Sequence, residues 1–111
     1  MKYFVTAEQR KSSKSSCYFE FMQGKYEGKN WLQGSVCISA DLFEEAKLYN
    51  AFSALPDFAY YGVTEIDRDR WSTVMKQAEK IGGKTHRALS EIADWAENTL
   101  ADFGLFTLCG I

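Results

Sequence analysis

Residues 105–109, Leu105-Phe106-Thr107-Leu108-Cys109, contain one weakly polar side chain and no charge. A strand with no solvated face belongs inside a sheet and not at its edge, so this run needs neighbours on both sides and cover above. Gly104 sets its start, because glycine reaches the left-handed conformation that closes a preceding helix. The rest of the chain supplies the partners. Lys2 to Thr6 is short, aromatic and β-branched and reads as a strand; Cys17 to Met22 reads as a second, and the run Trp31 to Ser39 as a third. Gly24 and Gly28 bracket a turn that pairs the last two as a hairpin, with Tyr18 and Glu20 on one face and Cys17, Phe19 and Phe21 on the other. Between the first two strands, Ala7 to Ser16 has no apolar period and reads as a solvated loop.

Three helices are predicted. Ser39 caps one from about Asp41, whose Leu42, Ala46, Tyr49 and Phe52 form an apolar stripe ended by Pro56. Phe58 to Ile66 is a further strand, after which Asp67 or Asp69 caps a helix burying Trp71, Val74, Met75 and Ala78. Gly82-Gly83 stops it. A last helix spans Thr85 to Asp102, with Leu89, Ile92, Ala93, Ala96 and Leu100 toward the core. With 111 residues, 46% of them hydrophobic, there is room for one domain, 1–111. The expected fold is α+β: a mainly antiparallel sheet of about five strands with three helices on one face, in the order β-β-β-α-β-α-α-β.

Composition narrows function by exclusion. Residues 1–6 turn polar well short of a signal peptide's apolar region, and no segment approaches bilayer length, which predicts a cytoplasmic protein without a membrane partner. Cys17, Cys37 and Cys109 are odd in number and widely spaced, so neither a disulfide framework nor a zinc site is legible, and their apolar surroundings read as buried thiols. Gly83-Lys84-Thr85 lacks the upstream glycine of a phosphate loop, because Ala78 stands there. Glu65, Asp67 and Asp69 alternate as three carboxylates on one strand face would, yet no calcium-loop pattern completes them; a helix cap with surface charge is the plainer reading. His86 stands alone among Lys84, Thr85 and Arg87, as a capping or solvated residue or as a catalytic one. No cofactor is implied.

The net charge of -2 conceals blocks: residues 1–30 carry +3, 41–69 carry -5, 70–90 carry +4 and 91–111 carry -4. A mostly acidic surface repels phosphate backbones, so a basic protein is the expected partner and nucleic acid is not. On the last predicted helix Glu91, Asp94, Asn98 and Asp102 form a polar stripe, with Trp95 and Glu97 beside it and no base after Arg87. Asp57 with Tyr60, in the run Asp57-Phe58-Ala59-Tyr60-Tyr61, makes a second acidic and aromatic patch, and Trp31 is either an interface anchor or the start of a buried strand. Partner-binding residues are therefore expected to be Glu91, Asp94, Trp95, Asn98 and Asp102, with Asp57 and Tyr60.

The strand Tyr3-Phe4-Val5, the hairpin Tyr18-Phe19-Glu20-Phe21, the acidic helix Asp41-Leu42-Phe43-Glu44-Glu45 and the strand Phe106-Thr107-Leu108-Cys109 together resemble bacterial toxin-immunity proteins of contact-dependent growth inhibition and polymorphic toxin systems. That resemblance runs over the whole chain without a specific motif, so it assigns no residue a role. It implies a cytosolic, non-enzymatic protein that binds a cognate toxin domain, often an RNase, tRNase or DNase, and blocks it. Two other readings stand beside it: a small hydrolase or metal-dependent enzyme using Asp67, Asp69 and His86, and an oligomer subunit whose surplus aromatics form a symmetric interface.

Overall fold

Alternation along the strands sorts their side chains to two faces, and the helices cover one of them. The computed structural model describes residues 1–13 and 17–111. In chain order it shows β1 (Phe4–Thr6), α1 (Ala7–Lys11), β2 (Tyr18–Gln23), β3 (Val36–Ser39), α2 (Ala40–Glu45) and α3 (Leu48–Phe52). There follow β4 (Val63–Asp67), α4 (Arg68–Ile81), α5 (Gly83–Ser90), α6 (Ala93–Phe103) and β5 (Leu105–Cys109). The five strands form one antiparallel sheet in the order β1-β3-β2-β5-β4. β5 lies between β2 and β4, where its apolar sequence requires it to be.

Register places Phe4 opposite Ile38 and Ile38 opposite Phe19, while Phe21 faces both Val36 and Leu108 and Ile66 faces Phe106. These residues share a core with Phe43, Leu48, Phe52, Trp71, Val74, Leu89, Ile92 and Leu100 from the helices. Phe19 stacks on Phe43 with ring centres 3.9 Å apart, and Tyr60 meets Phe19 edge-on at 5.2 Å. The opposite face carries Glu20, Met22, Cys37 and Thr107, all fully buried. Loop 24–35 closes over it: Thr107 donates its hydroxyl to the Gly24 carbonyl at 2.7 Å, and Glu20 binds the loop near Ser35. No helix among the described residues is long and apolar enough to cross a membrane.

The fold class matches the expectation; the element list is longer, with six helices among the described residues. Ala7–Lys11 is helical where a loop is expected. Thr6 accepts the Gln9 amide at 3.1 Å while the Gln9 side chain accepts the Thr6 amide at 2.9 Å, a capping box that nucleates a turn without an apolar stripe. Residues 14–16 of the expected loop lie outside the described residues. The helix expected from Asp41 to Phe52 breaks at Lys47, which takes the left-handed conformation (φ 54°). That break shifts the phase, so Leu48 is buried and Tyr49 is 53% exposed. The strand expected over Phe58 to Ile66 narrows to Val63–Asp67, and the one from Trp31 begins only at Val36. Asp67 caps α4, accepting the Arg70 amide at 2.9 Å, and Met75 is only half-buried beside Trp71, Val74 and Ala78. The helix expected from Thr85 to Asp102 is two helices, α5 and α6, parted at Glu91 and Ile92.

Candidate surface for a cationic partner

The break between α5 and α6 decides what the acidic stripe can do. Glu91 turns inward: its carboxylate accepts the backbone N–H groups of Lys2 at 2.8 Å, Tyr3 at 2.9 Å and Phe4 at 3.1 Å, tying the start of β1 to the helical layer. It is therefore a tether for the edge strand, and the stripe loses its first member. Downstream, α6 buries Ala96, Thr99 and Leu100 and turns Asp94, Glu97, Asn98 and Asp102 outward. Asp94, Asn98 and Asp102 follow at intervals of four, about 6 Å apart along the axis, and so make one row. Gly104, at φ 79° and donating to the Leu100 carbonyl at 2.9 Å, ends the helix just beyond Asp102.

Glu97 on the same helix is compensated within the molecule, since Arg68 bonds it at 2.7 Å; on other elements Arg70 bonds Asp57 and Lys84 lies 3.6 Å from Glu45. Asp94 and Asp102 make no ion pair among the described residues. Asp102 also sits in the last turn of α6, where the helix dipole disfavours a negative charge. The row is thus left with uncompensated charge on a rigid, well-anchored element.

Trp95 is half-buried on the same helix. Its Nε1–H donates to the Gly34 carbonyl at 2.7 Å and its ring meets Phe106 edge-on at 5.3 Å. Across from it Trp31 is held at φ 60°, because Glu20 accepts the Trp31 amide at 2.7 Å and the Leu32 amide at 2.9 Å. Glu20 further accepts from the Ser35 hydroxyl at 2.7 Å and Asn30 at 3.3 Å, and the Arg10 guanidinium lies 3.8 Å from the centre of the Trp31 ring. Between the two indoles opens a cleft of about 550 Å³, bounded also by Ala7 and Val36 and bordered by Glu8, Lys11 and Gln33. The sequence reading named both tryptophans but not the cleft, since only the Glu20 network brings loop 24–35 against α6.

The second patch comes apart. The Asp57 carboxyl is held below the usual carboxylate range by its hydrogen bond to Arg70. Tyr60 is half-buried, donates to Glu44 at 3.5 Å, and has its hydroxyl pushed up by burial and by the Glu44 charge. The Tyr60 carbonyl accepts the Ile111 amide, past the end of β5 opposite Gly104. Five strand residues span about 16 Å, so Tyr60 and the end of α6 lie at opposite ends of β5.

The groups of the hydrolase reading do not meet. Asp67 and Asp69 are at the start of α4, which carries the chain about 21 Å before α5 begins, and His86 lies in the first turn of α5. Asp67 is engaged as a cap, and no group of three or more His, Cys, Asp or Glu among the described residues could hold a metal ion. Thr85 donates to the Ala46 carbonyl at 2.6 Å, so Gly83-Lys84-Thr85 is a helix start packed on α2. Burial, reinforced by the Glu20 charge, pushes the thiols of Cys37 and Cys109 up to about 12 and about 11. At pH 8 both therefore stay protonated, and maleimide labelling followed by mass spectrometry should modify neither until the protein is unfolded. Fast native labelling of Cys37 would show that loop 24–35 opens. No protein-family model, curated protein or solved structure matches this chain.

Proposed function

We propose that the protein is a cytoplasmic immunity protein that neutralises a cognate antibacterial toxin domain, a basic nuclease of the RNase or tRNase kind. One observation carries this reading: Asp94 and Asp102 stand exposed in one row on α6 and make no ion pair among the described residues, while Glu97 on the same helix is paired with Arg68. A nuclease cleft is cationic because its substrate is polyanionic, and carboxylates on a rigid helix imitate phosphates there. Such a protein needs no catalytic residue. The interface is the row Asp94, Asn98 and Asp102 with Trp95 beside it; Glu91 is left out because its carboxylate is spent on β1. Tyr60 lies at the other end of β5, and Asp57 is left out because its carboxylate is taken up by Arg70.

Co-expression with nuclease toxin domains, beginning with any encoded next to its own gene, tests the reading by cell survival. The wild-type chain should protect against one of them, and the double variant Asp94→Lys, Asp102→Lys should not. Its fold should persist, since exposed helix charges contribute only about 0.5 kcal/mol each. Association with that domain should slow as salt rises, because a Debye length of about 8 Å at physiological ionic strength screens the row. Full protection by the double variant would take α6 out of the interface, and failure to protect against every domain would sink the function.

A further inference from the structure

We propose that a band of tyrosine rings beyond the end of β5 is a second docking surface, separate from the α6 row, which takes arginine side chains of a protein partner on uncovered ring faces beside Glu44. The band is anchored in the core. Tyr60 meets Phe19 and Phe43 edge-on, with ring centres 5.2 Å and 6.1 Å away, and so is fixed from below. Tyr61 lies 4.8 Å from Tyr60, Tyr49 lies 6.5 Å from it, and Phe58 lies 5.7 Å from Tyr49, with the rings of each pair steeply inclined. Phe58 and Tyr60 are half-buried, whereas Tyr49 is 53% and Tyr61 81% exposed. Apolar side chains exposed singly are ordinary, but a contiguous group brought together from two segments marks a contact surface.

Charge selects the occupant. Glu44 accepts the Tyr60 hydroxyl at 3.5 Å and, like Asp41 one turn earlier on α2, is exposed and makes no ion pair among the described residues. Burial and then the Glu44 charge push the Tyr60 hydroxyl up, and no cation among the described residues pulls it back. Asp57, next to Phe58, is matched by Arg70, and Glu45 by Lys84. Lys47 borders another cleft with Glu45, Ile81 and Lys84, and even with it included the border is two carboxylates against one ammonium. The faces of the four rings carry negative potential of their own, yet the cation–π contacts among the described residues fall on Tyr3 and Trp31. Guanidinium answers both features, because it is planar, weakly hydrated and stacks on an aromatic face while its N–H groups reach a carboxylate. Single-stranded nucleic acid also stacks on tyrosines, but its phosphates require a cationic groove where this surface has Glu44 and Asp41. A second copy of the chain would set one acidic border against another. A sugar requires several convergent hydrogen-bonding groups, and the carboxylate at hand is already engaged by Tyr60.

The ring ¹H–¹³C resonances of Tyr49 and Tyr61 give the test, with acetyl-hexaarginine amide as probe and maltohexaose and a short oligothymidylate as controls. The titration is run on the Asp94→Lys, Asp102→Lys variant, so that the α6 row cannot hold the peptide. The probe should shift both ring resonances saturably and leave the indole resonance of Trp71, buried against Phe106, in place. Tyr49→Leu combined with Tyr61→Leu keeps apolar bulk and removes the ring faces, so affinity should fall at least roughly fivefold. Tyr49→Phe combined with Tyr61→Phe keeps the faces and should bind within about twofold of its parent. Glu44→Gln should weaken binding as well, and an unchanged Trp71 resonance reports that each variant is folded. Absence of ring shifts at millimolar peptide would overturn the proposal, as would undiminished affinity in the leucine variant or a larger response to either control. Because the α6 row is already disabled in this background, the result stands apart from the survival assay: ring shifts that persist support the tyrosine band whatever α6 does, and their loss removes the band alone.

Discussion

Replacement of Glu20 by alanine is expected to destabilise the protein by about 3–5 kcal/mol, the largest effect of any single polar substitution considered for it. The side chain is fully buried in β2 and receives the amides of Trp31 and Leu32, the Ser35 hydroxyl and the Asn30 side chain. Alanine would leave at least two backbone N–H groups without a partner in a water-excluded place and open a void beneath loop 24–35. Glu20→Gln keeps one oxygen but turns an NH₂ toward the remaining donors, so an intermediate loss is expected. Chemical denaturation gives the free energies, and the thermal midpoint should fall by roughly 10–20 °C for alanine. Hydrogen exchange should quicken first at residues 30–35, ahead of β5. A midpoint within a degree or two of wild type would mean that the loop is not held by this carboxylate, and the pre-set wall of the tryptophan cleft would go with it.

Glu91→Ala should cost about 1.5–3 kcal/mol, because a charged acceptor serving three consecutive amides is lost. The Lys2, Tyr3 and Phe4 amides should lose exchange protection while those of β5 keep theirs, since β1 is an edge strand of three residues held otherwise by β3. Asp94 and Asp102, one and three helical turns further on, should show almost no stability effect and a large effect on partner binding. Members of one stripe in sequence thus separate into a structural residue and a docking row, and measuring both properties on all three variants distinguishes them. Equal stability losses for Glu91 and Asp94 would contradict that division.

Much of the fold is visible in side-chain periodicity. The interior position of β5 follows from five residues with no charge, and the cap at Asp67 and the glycine stops at 82–83 and 104 follow from backbone chemistry. The missed α1 had a local signal, the Thr6-to-Gln9 capping box, outweighed by the lack of apolar period around it. The breaks at Lys47 and at Glu91-Ile92 had no such signal: no glycine or proline stands at either, and the second goes with long-range contacts, Glu91 reaching the amides of residues 2–4 and Ile92 lying in the core. Periodicity run through such a break misplaces faces, which is why Tyr49 was expected inside in place of Leu48.

The candidate site divides along the same line. Asp94, Asn98 and Asp102 are readable from spacing alone, because they lie within one uninterrupted helix and nothing distant intervenes. Asp57 and Tyr60, three residues apart, carry no information about which end of the sheet each will serve. Sequence by itself determined the α+β class, the central place of β5 and an acidic row on α6, for these depend on local periodicity and on unpaired charge. Only the tertiary structure decided that Glu91 holds β1, that Glu20 is buried beneath a loop, and that Trp31 faces Trp95 across a cleft. Each of those contacts joins residues from 10 to nearly 90 positions apart, at distances that no repeat of 2 or 3.6 residues encodes.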